Sequence, residues 1–174
     1  MPYIITLLIM KIQPKTNLHL AQQDVFYSQL LNPNSPLYNI GGYVIFNGDF
    51  NVNQFKSVIQ KLPSAFDIFN LEFDFSSSIP KFSPKQSTVN IDLKELDFSN
   101  ELSPQKSAKE WMQSEFNTPF DIYGDQSYEN VLIKINENEF WWFMRYHHLI
   151  TDGYGCSIKI NYVIDEYELL VNNK

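Results

Sequence analysis

Arginine is nearly missing from this chain. Of its 13 basic residues only Arg145 carries a guanidinium, and 20 acidic residues leave a formal charge of −7. Reading phosphates takes a basic stripe and several planar guanidinium forks, so the composition argues against nucleic acid as a partner. Cysteine is reduced to Cys156, which excludes an internal disulfide. It stands apart from any Cys/His cluster and reads as a small buried residue rather than a zinc ligand or nucleophile, so no metal is expected. Long apolar runs are also lacking. The opening run, residues 2–10, is too short to cross a bilayer, with no basic stretch before it and no small-residue cleavage site after it. No membrane partner is expected, a cytoplasmic location is the default, and residues 1–16 read as a strand or a loosely attached extension. No repeat, low-complexity tract or charge block marks a domain boundary. With 44% hydrophobic and 16% aromatic residues among 174, enough remains for one well-packed domain or lobe.

What the chain does hold is a concentration of histidine. Two of its three histidines stand in Tyr146-His147-His148-Leu149-Ile150-Thr151-Asp152-Gly153-Tyr154, beside a carboxylate and a glycine. Before this stretch runs the aromatic, strand-like Glu139-Phe140-Trp141-Trp142-Phe143-Met144-Arg145, and after it a helical pattern begins near Tyr154. If the strand keeps its alternation through His148, His147 shares a face with Arg145 and Phe143, and His148 shares the other with Tyr146 and Met144. The two histidines then have different roles. Asp152 and Gly153 fall where a helix starts, so the carboxylate can cap backbone N–H groups or partner a histidine or Arg145, and the glycine permits close approach of a substrate. That grouping suits acid–base chemistry. The bland alternative is an aromatic strand ending in two histidines, with Asp152 as an ordinary cap.

Around this stretch the spacing predicts four helices, at 17–31, 52–62, 104–116 and 154–171. The first rests on Leu18, Ala21, Val25, Phe26 and Leu30 and is closed by Asn32-Pro33-Asn34-Ser35-Pro36. The second has Asn51 as its cap and Phe50 stapled on Phe55, with Val52, Phe55, Ile59 and Leu62 buried. Ser103-Pro104 opens the third, whose inner face is Ala108, Trp111, Met112 and Phe116. The fourth buries Ile160, Val163, Ile164, Tyr167, Leu170 and Val171 and leaves Lys159, Asp165, Glu166 and Glu168 outside. Strands are expected at 42–46, over 65–73, and at 131–136 and 140–146, the last two joined by a hairpin turn at Asn136-Glu137-Asn138-Glu139. Residues 74–100 read as loops with one short strand at 88–93. The aromatic density of Trp111, Trp141 and Trp142 reads as core rather than a stacking platform.

The spacing His147-His148-x-x-x-Asp152-Gly153 resembles the core motif of the condensation domains of nonribosomal peptide synthetases, within the chloramphenicol-acetyltransferase-like superfamily. Leu18-His19-Leu20-Ala21-Gln22-Gln23-Asp24-Val25-Phe26 is similar to that family's opening Ala-Gln segment, with Asp24 where an Arg is usual. Tyr38-Asn39-Ile40 and Pro119-Phe120-Asp121 also have counterparts there. Where the family shows a His and an Arg, this chain has Phe66 and Asn70, which questions the polar support behind the site. The resemblance covers residues 18–171 and implies an α/β fold, of the α+β two-layer sandwich kind, with a mixed sheet covered by helices. It further implies amide bond formation between aminoacyl thioesters held on the phosphopantetheine of carrier proteins, with no cofactor bound directly. His148 would be the base, His147 and Asp152 its supports, and Gly153 the room for the thioester. The family's domains have two lobes with a tunnel between them, so residues 17–174 are expected to form the amino-terminal lobe, the second being absent or supplied by a separate chain. Two alternatives stand beside this: a non-catalytic lobe that binds carrier proteins, or an acyltransferase acting on an alcohol or amine acceptor.

Overall fold

The computed structural model describes residues 15–172 except 86, 88, 125 and 126, so the opening run at 2–10 lies outside the described residues. In chain order the elements are β1 (Thr16–Asn17), α1 (Leu20–Leu31), β2 (Asn39–Asn47), α2 (Val52–Ile59), α3 (Leu62–Ala65), a 3-10 turn (Asp67–Asn70), β3 (Leu71–Asp74), β4 (Lys81–Pro84), β5 (Lys94–Asp97), α4 (Pro104–Phe116), β6 (Tyr128–Asn136), β7 (Glu139–His147) and α5 (Gly153–Asn172). The main sheet runs β2-β7-β6-β5 and a smaller one β1-β4-β3. Only the β5–β6 pair is parallel, so the main sheet is mixed and the fold is α/β.

The sheet is built on β7. From Phe140 to His147 every residue is buried, as expected of a strand covered on both faces, whose sequence is a continuous apolar run rather than an alternation. Trp142, Met144 and Tyr146 enter the core formed with α2 and α5. Trp141 and Phe143 enter the core under α4. The same alternation puts Arg145 and His147 on the α4 side, beside the end of that helix. Gly41 lets β2 lie against β7: its φ is 148°, and a Cβ there would collide with the carbonyl oxygen of Met144. A third, smaller core gathers Leu18, Phe26 and Leu149, packed by Phe73, Phe75 and Phe82 of the smaller sheet region. It anchors α1 beside the turn that follows β7.

Several boundaries differ from the sequence expectation. Asn17 pairs with Lys81 in β1 rather than starting a helix, and α1 begins after His19, whose ring accepts the Ala21 N–H at 3.4 Å while its own N–H donates to Gln22 Oε1 at 3.0 Å. Leu30 is 42% exposed. The second helix is capped by Asn51 Oδ1 on the Gln54 N–H at 3.0 Å, and Phe50 packs on Phe55 at 5.2 Å between ring centroids. It ends at Ile59, short of 62, because Pro63 has no N–H to continue the ladder and instead sits in the first turn of α3. The strand expected over 65–73 is instead the end of α3 at Ala65, a single extended residue at Phe66 and a 3-10 turn over Asp67–Asn70, and a strand forms only from Leu71. Asn70 donates to the Pro63 carbonyl and accepts from Val89 N–H, a local side-chain bonding pattern that competes with a strand ladder. Ile91 and Leu93 are buried, but the ladder forms at Lys94–Asp97 and not at 89–93, residue 88 lying outside the described residues. Ser103 holds the cap position of α4 without a side-chain hydrogen bond.

Candidate functional site

β7 ends at His147, and the chain then turns: the Ile150 N–H donates to the His147 carbonyl at 3.1 Å and the His148 N–H to the Tyr38 carbonyl at 2.8 Å. His148 is therefore a turn residue, and the face it was expected to share with Tyr146 and Met144 is not its own. Strand alternation stops one residue earlier because the His147 ring binds the turn: its Nδ1 accepts the Leu149 N–H at 3.1 Å. Nδ1 is then the unprotonated nitrogen, so Nε2 carries the hydrogen and donates it to Gln29 Oε1 at 3.4 Å. The ring is 2% exposed, lies 6.2 Å from Tyr38 and meets Phe120 edge-on at 6.4 Å between centroids. Burial, with His148 adding to it, holds its pKa down at about 4. His147 is thus neutral near pH 7 and has both nitrogens engaged.

His148 has the opposite environment. It is half-buried and lines an open groove with Ala21, Gln22 and Val25 of α1 and Thr151 and Asp152 of the turn. Among the described residues its imidazole makes no hydrogen bond. Gln22 fixes the groove's floor by donating to the Leu149 carbonyl at 2.9 Å, which gives the Ala-Gln segment a physical role. Asp152 caps α5: its Oδ1 accepts the Gly155 N–H at 2.7 Å and its carbonyl the Cys156 N–H at 2.9 Å. It bonds neither histidine, and it does not pair with Arg145. That guanidinium is held by Glu129 at 2.8 Å and Glu115 at 3.2 Å, donates to the carbonyls of Glu115 and Thr118, and stacks on Phe120 at 4.4 Å. Of the roles open to Asp152 the helix cap is the one observed, and the partnership with a histidine or Arg145 is not, since Arg145 points to the α4 side. Gly153 opens α5 with nothing within 4 Å of where a Cβ would stand. No packing among the described residues requires glycine there.

Two contributors were not read from the sequence. Gln29 is 2% exposed and, besides meeting His147, donates to the carbonyls of Asn32, Pro33 and Ser35 at 2.9, 3.3 and 3.1 Å. Its position three residues after Phe26, on the buried stripe of α1, was the available signal. Lys159, expected outside, is also 2% exposed. Its ammonium donates to Thr151 Oγ1 at 2.7 Å and the Gly155 carbonyl at 2.8 Å, directly behind the motif turn. Of the three departures from the family pattern, Phe66 packs on Tyr162 and Asn70 ties neighbouring loops, and neither of these two bonds a motif residue. Cys156 is buried, and burial pushes its thiol up. Among the described residues no three His, Cys, Asp or Glu side chains group as a metal site, and no helix is long and apolar enough to cross a membrane.

The sequence and the fold are similar to those of proteins of known family. The chain is 25% identical over 154 residues to a dimodular nonribosomal peptide synthase of Bacillus subtilis (strain 168), covering 88% of this chain and 6% of that protein. It is 25% identical over 150 residues to an isonitrile lipopeptide synthase of Streptomyces coeruleorubidus, covering 86% of this chain and 10% of that one. Among solved structures it superposes on the starter condensation domain of rhizomide synthetase RzmA with a TM-score of 0.84 at 25% identity, over 92% of this chain and 40% of that one. The chain thus spans a small part of the curated relatives it matches and about two fifths of a solved condensation domain. The Condensation domain family profile matches residues 12–174, and the chain belongs to that family.

Proposed function

We propose that this chain forms the histidine-bearing wall of a condensation site, which joins an amine to an acyl thioester in nonribosomal peptide synthesis. The observation that carries this reading is the split between the histidines: His147 is buried, neutral and bonded through both nitrogens, whereas His148 faces an open groove with no hydrogen-bond partner among the described residues. A group that takes a proton from a substrate must reach it within hydrogen-bond distance and be free to accept. In the proposed step the amine nitrogen forms a C–N bond to the thioester carbon and the C–S bond breaks. His148 removes the proton that the nitrogen loses, and that proton leaves with the thiol. Gly153 leaves space for the thioester, and its N–H, at the positive end of α5, faces the developing oxyanion. His147 and Asp152 hold the turn.

The donor and acceptor are aminoacyl groups carried on phosphopantetheine arms, so the partners are carrier proteins, and the reaction is cytoplasmic. The open groove and Gly153's vacant side fit a slender thioester arm rather than a bulky bound cofactor. The opposite wall is a second lobe, in the same polypeptide or another. The test is acyl transfer between aminoacyl-loaded carrier proteins by the protein with both lobes present. His148→Ala is expected to lose on the order of a hundredfold in rate with its melting temperature unchanged. If His148→Ala unfolds the protein, or keeps full rate, the role fails and the reading as a carrier-binding lobe without catalysis gains.

A further inference from the structure

A lysine that is 2% exposed and forms no ion pair among the described residues is an expensive occupant of a helix's inner stripe, where a leucine or methionine would pack without desolvating a charge. The three N–H donors of Lys159 nonetheless have three acceptors: the Thr151 hydroxyl at 2.7 Å, the Gly155 carbonyl at 2.8 Å, and the face of Tyr146, whose ring centroid is 4.7 Å from Nζ. Gly155 completes the arrangement. A Cβ there would collide with Thr151 Oγ1 and stand 3.3 Å from Asp152 Oδ1 and 3.6 Å from Nζ, so the cradle closes only around glycine.

We propose that Lys159 is a positioning residue for the motif: its buried ammonium clamps Thr151 to Gly155 and so fixes the stretch that carries Asp152, which lines the groove with His148, and Gly153. The inference rests on the reading of His148 as the proton acceptor, and it adds a residue that touches neither substrate nor His148. A clamp of this kind explains why a buried cation is kept. An apolar side chain would stabilise the helix but leave the Thr151 hydroxyl without its ammonium donor, and the turn between Thr151 and Gly155 free to move. Burial lowers the pKa of Lys159, and the neighbouring Cys156 and Asp152 act against that lowering.

The test compares the protein with Lys159→Met, Thr151→Val and the double variant by amide hydrogen exchange. The reporters are Gly155 and Cys156, whose N–H groups donate to Asp152. Lys159→Met is expected to speed exchange at these two amides by about tenfold or more, with the β6 and β7 amides unchanged and the melting temperature no lower than wild type. Thr151→Val gives a smaller acceleration, and the double variant exchanges no faster than Lys159→Met. In the acyl-transfer assay Lys159→Met lowers kcat with KM near wild type. Unchanged exchange at both reporters, acceleration spread evenly over the sheet, or an unchanged kcat in an active enzyme would overturn the proposal. If Lys159→Met does not fold, a Thr151→Val protein with wild-type exchange at Gly155 overturns it equally. If the wild type transfers no acyl group, the functional reading fails, while the exchange result still decides whether Lys159 holds the turn.

Discussion

Acid is expected to weaken this protein partly through His147. In the fold the ring stays neutral down to a pKa of about 4, because burial disfavours the imidazolium, whereas in the unfolded chain it takes a proton near the ordinary value of about 6.5. Between those values only the unfolded state binds the proton. The stability from neutral burial is therefore full above pH ~6.5, declines as the pH falls, and is lost by pH ~4, a total on the order of 3 kcal/mol. Urea unfolding of wild type and His147→Gln between pH 7 and 4 measures it: the variant should show a flatter decline. Asp152→Ala is a second expectation at this scale. With neither Arg145 nor a histidine bonded to Asp152, and Lys159 acting on it without a direct ion pair, its removal should cost little beyond the helix cap, about 1 kcal/mol. Denaturant midpoints would show a loss of about 3 kcal/mol or more if a hidden charge partner existed. The four motif residues were legible in the sequence because their spacing is local. Lys159 was not, although it lies on the stripe of Cys156, Val163 and Tyr167 at helical spacing. Its charge outweighed its position, and only the packed cradle shows where its hydrogen bonds go.

The long strands and helices were readable wherever one periodicity ran unbroken. The hairpin of β6 and β7 is longer than expected, and α4 matches its expected span to the residue. Failures came where a side chain or a ring interrupts the period. Pro63 ended α2 early, Asn70 bonded backbone groups where a strand was expected, and the His147 ring curled the chain out of β7. The smaller sheet was missed because its strands are two to four residues long, too short for an alternation to register. A glycine decides one pairing. Gly41→Ala would bring a methyl group into the Met144 backbone from a positive-φ residue, separating β2 from β7 beside Tyr38, whose carbonyl holds the His148 N–H. The expected cost is roughly 2–4 kcal/mol, read by thermal unfolding, whereas Gly42→Ala, with nothing within 4 Å of its Cβ, should cost far less. Equal losses at the two positions would show that close approach is not what selects Gly41.

At the scale of the whole molecule, the groove at His148 has one wall. α1 and the motif turn form it, and apolar groups stand exposed on both elements that flank it: Leu20 on α1 is 72% exposed and Tyr154 on α5 77%. On the proposed function the site must exclude water and hold two substrates at once, which takes enclosure on more than one side. The solved domain that superposes on this chain is more than twice its matched length. Residues 1–174 alone, offered an aminoacyl-loaded carrier donor and acceptor, are therefore expected to transfer the acyl group slowly. Addition of the remaining portion of a condensation domain, in trans or by fusion, should raise the rate and lower the exposure of Leu20 and Tyr154 to covalent surface labelling or hydrogen exchange. His148→Ala should abolish the gain, because the added wall contributes enclosure and orientation while the proton acceptor stays on this chain. Robust turnover by residues 1–174 alone would show that one wall suffices, and a gain that survives His148→Ala would move the proton acceptor to the other lobe.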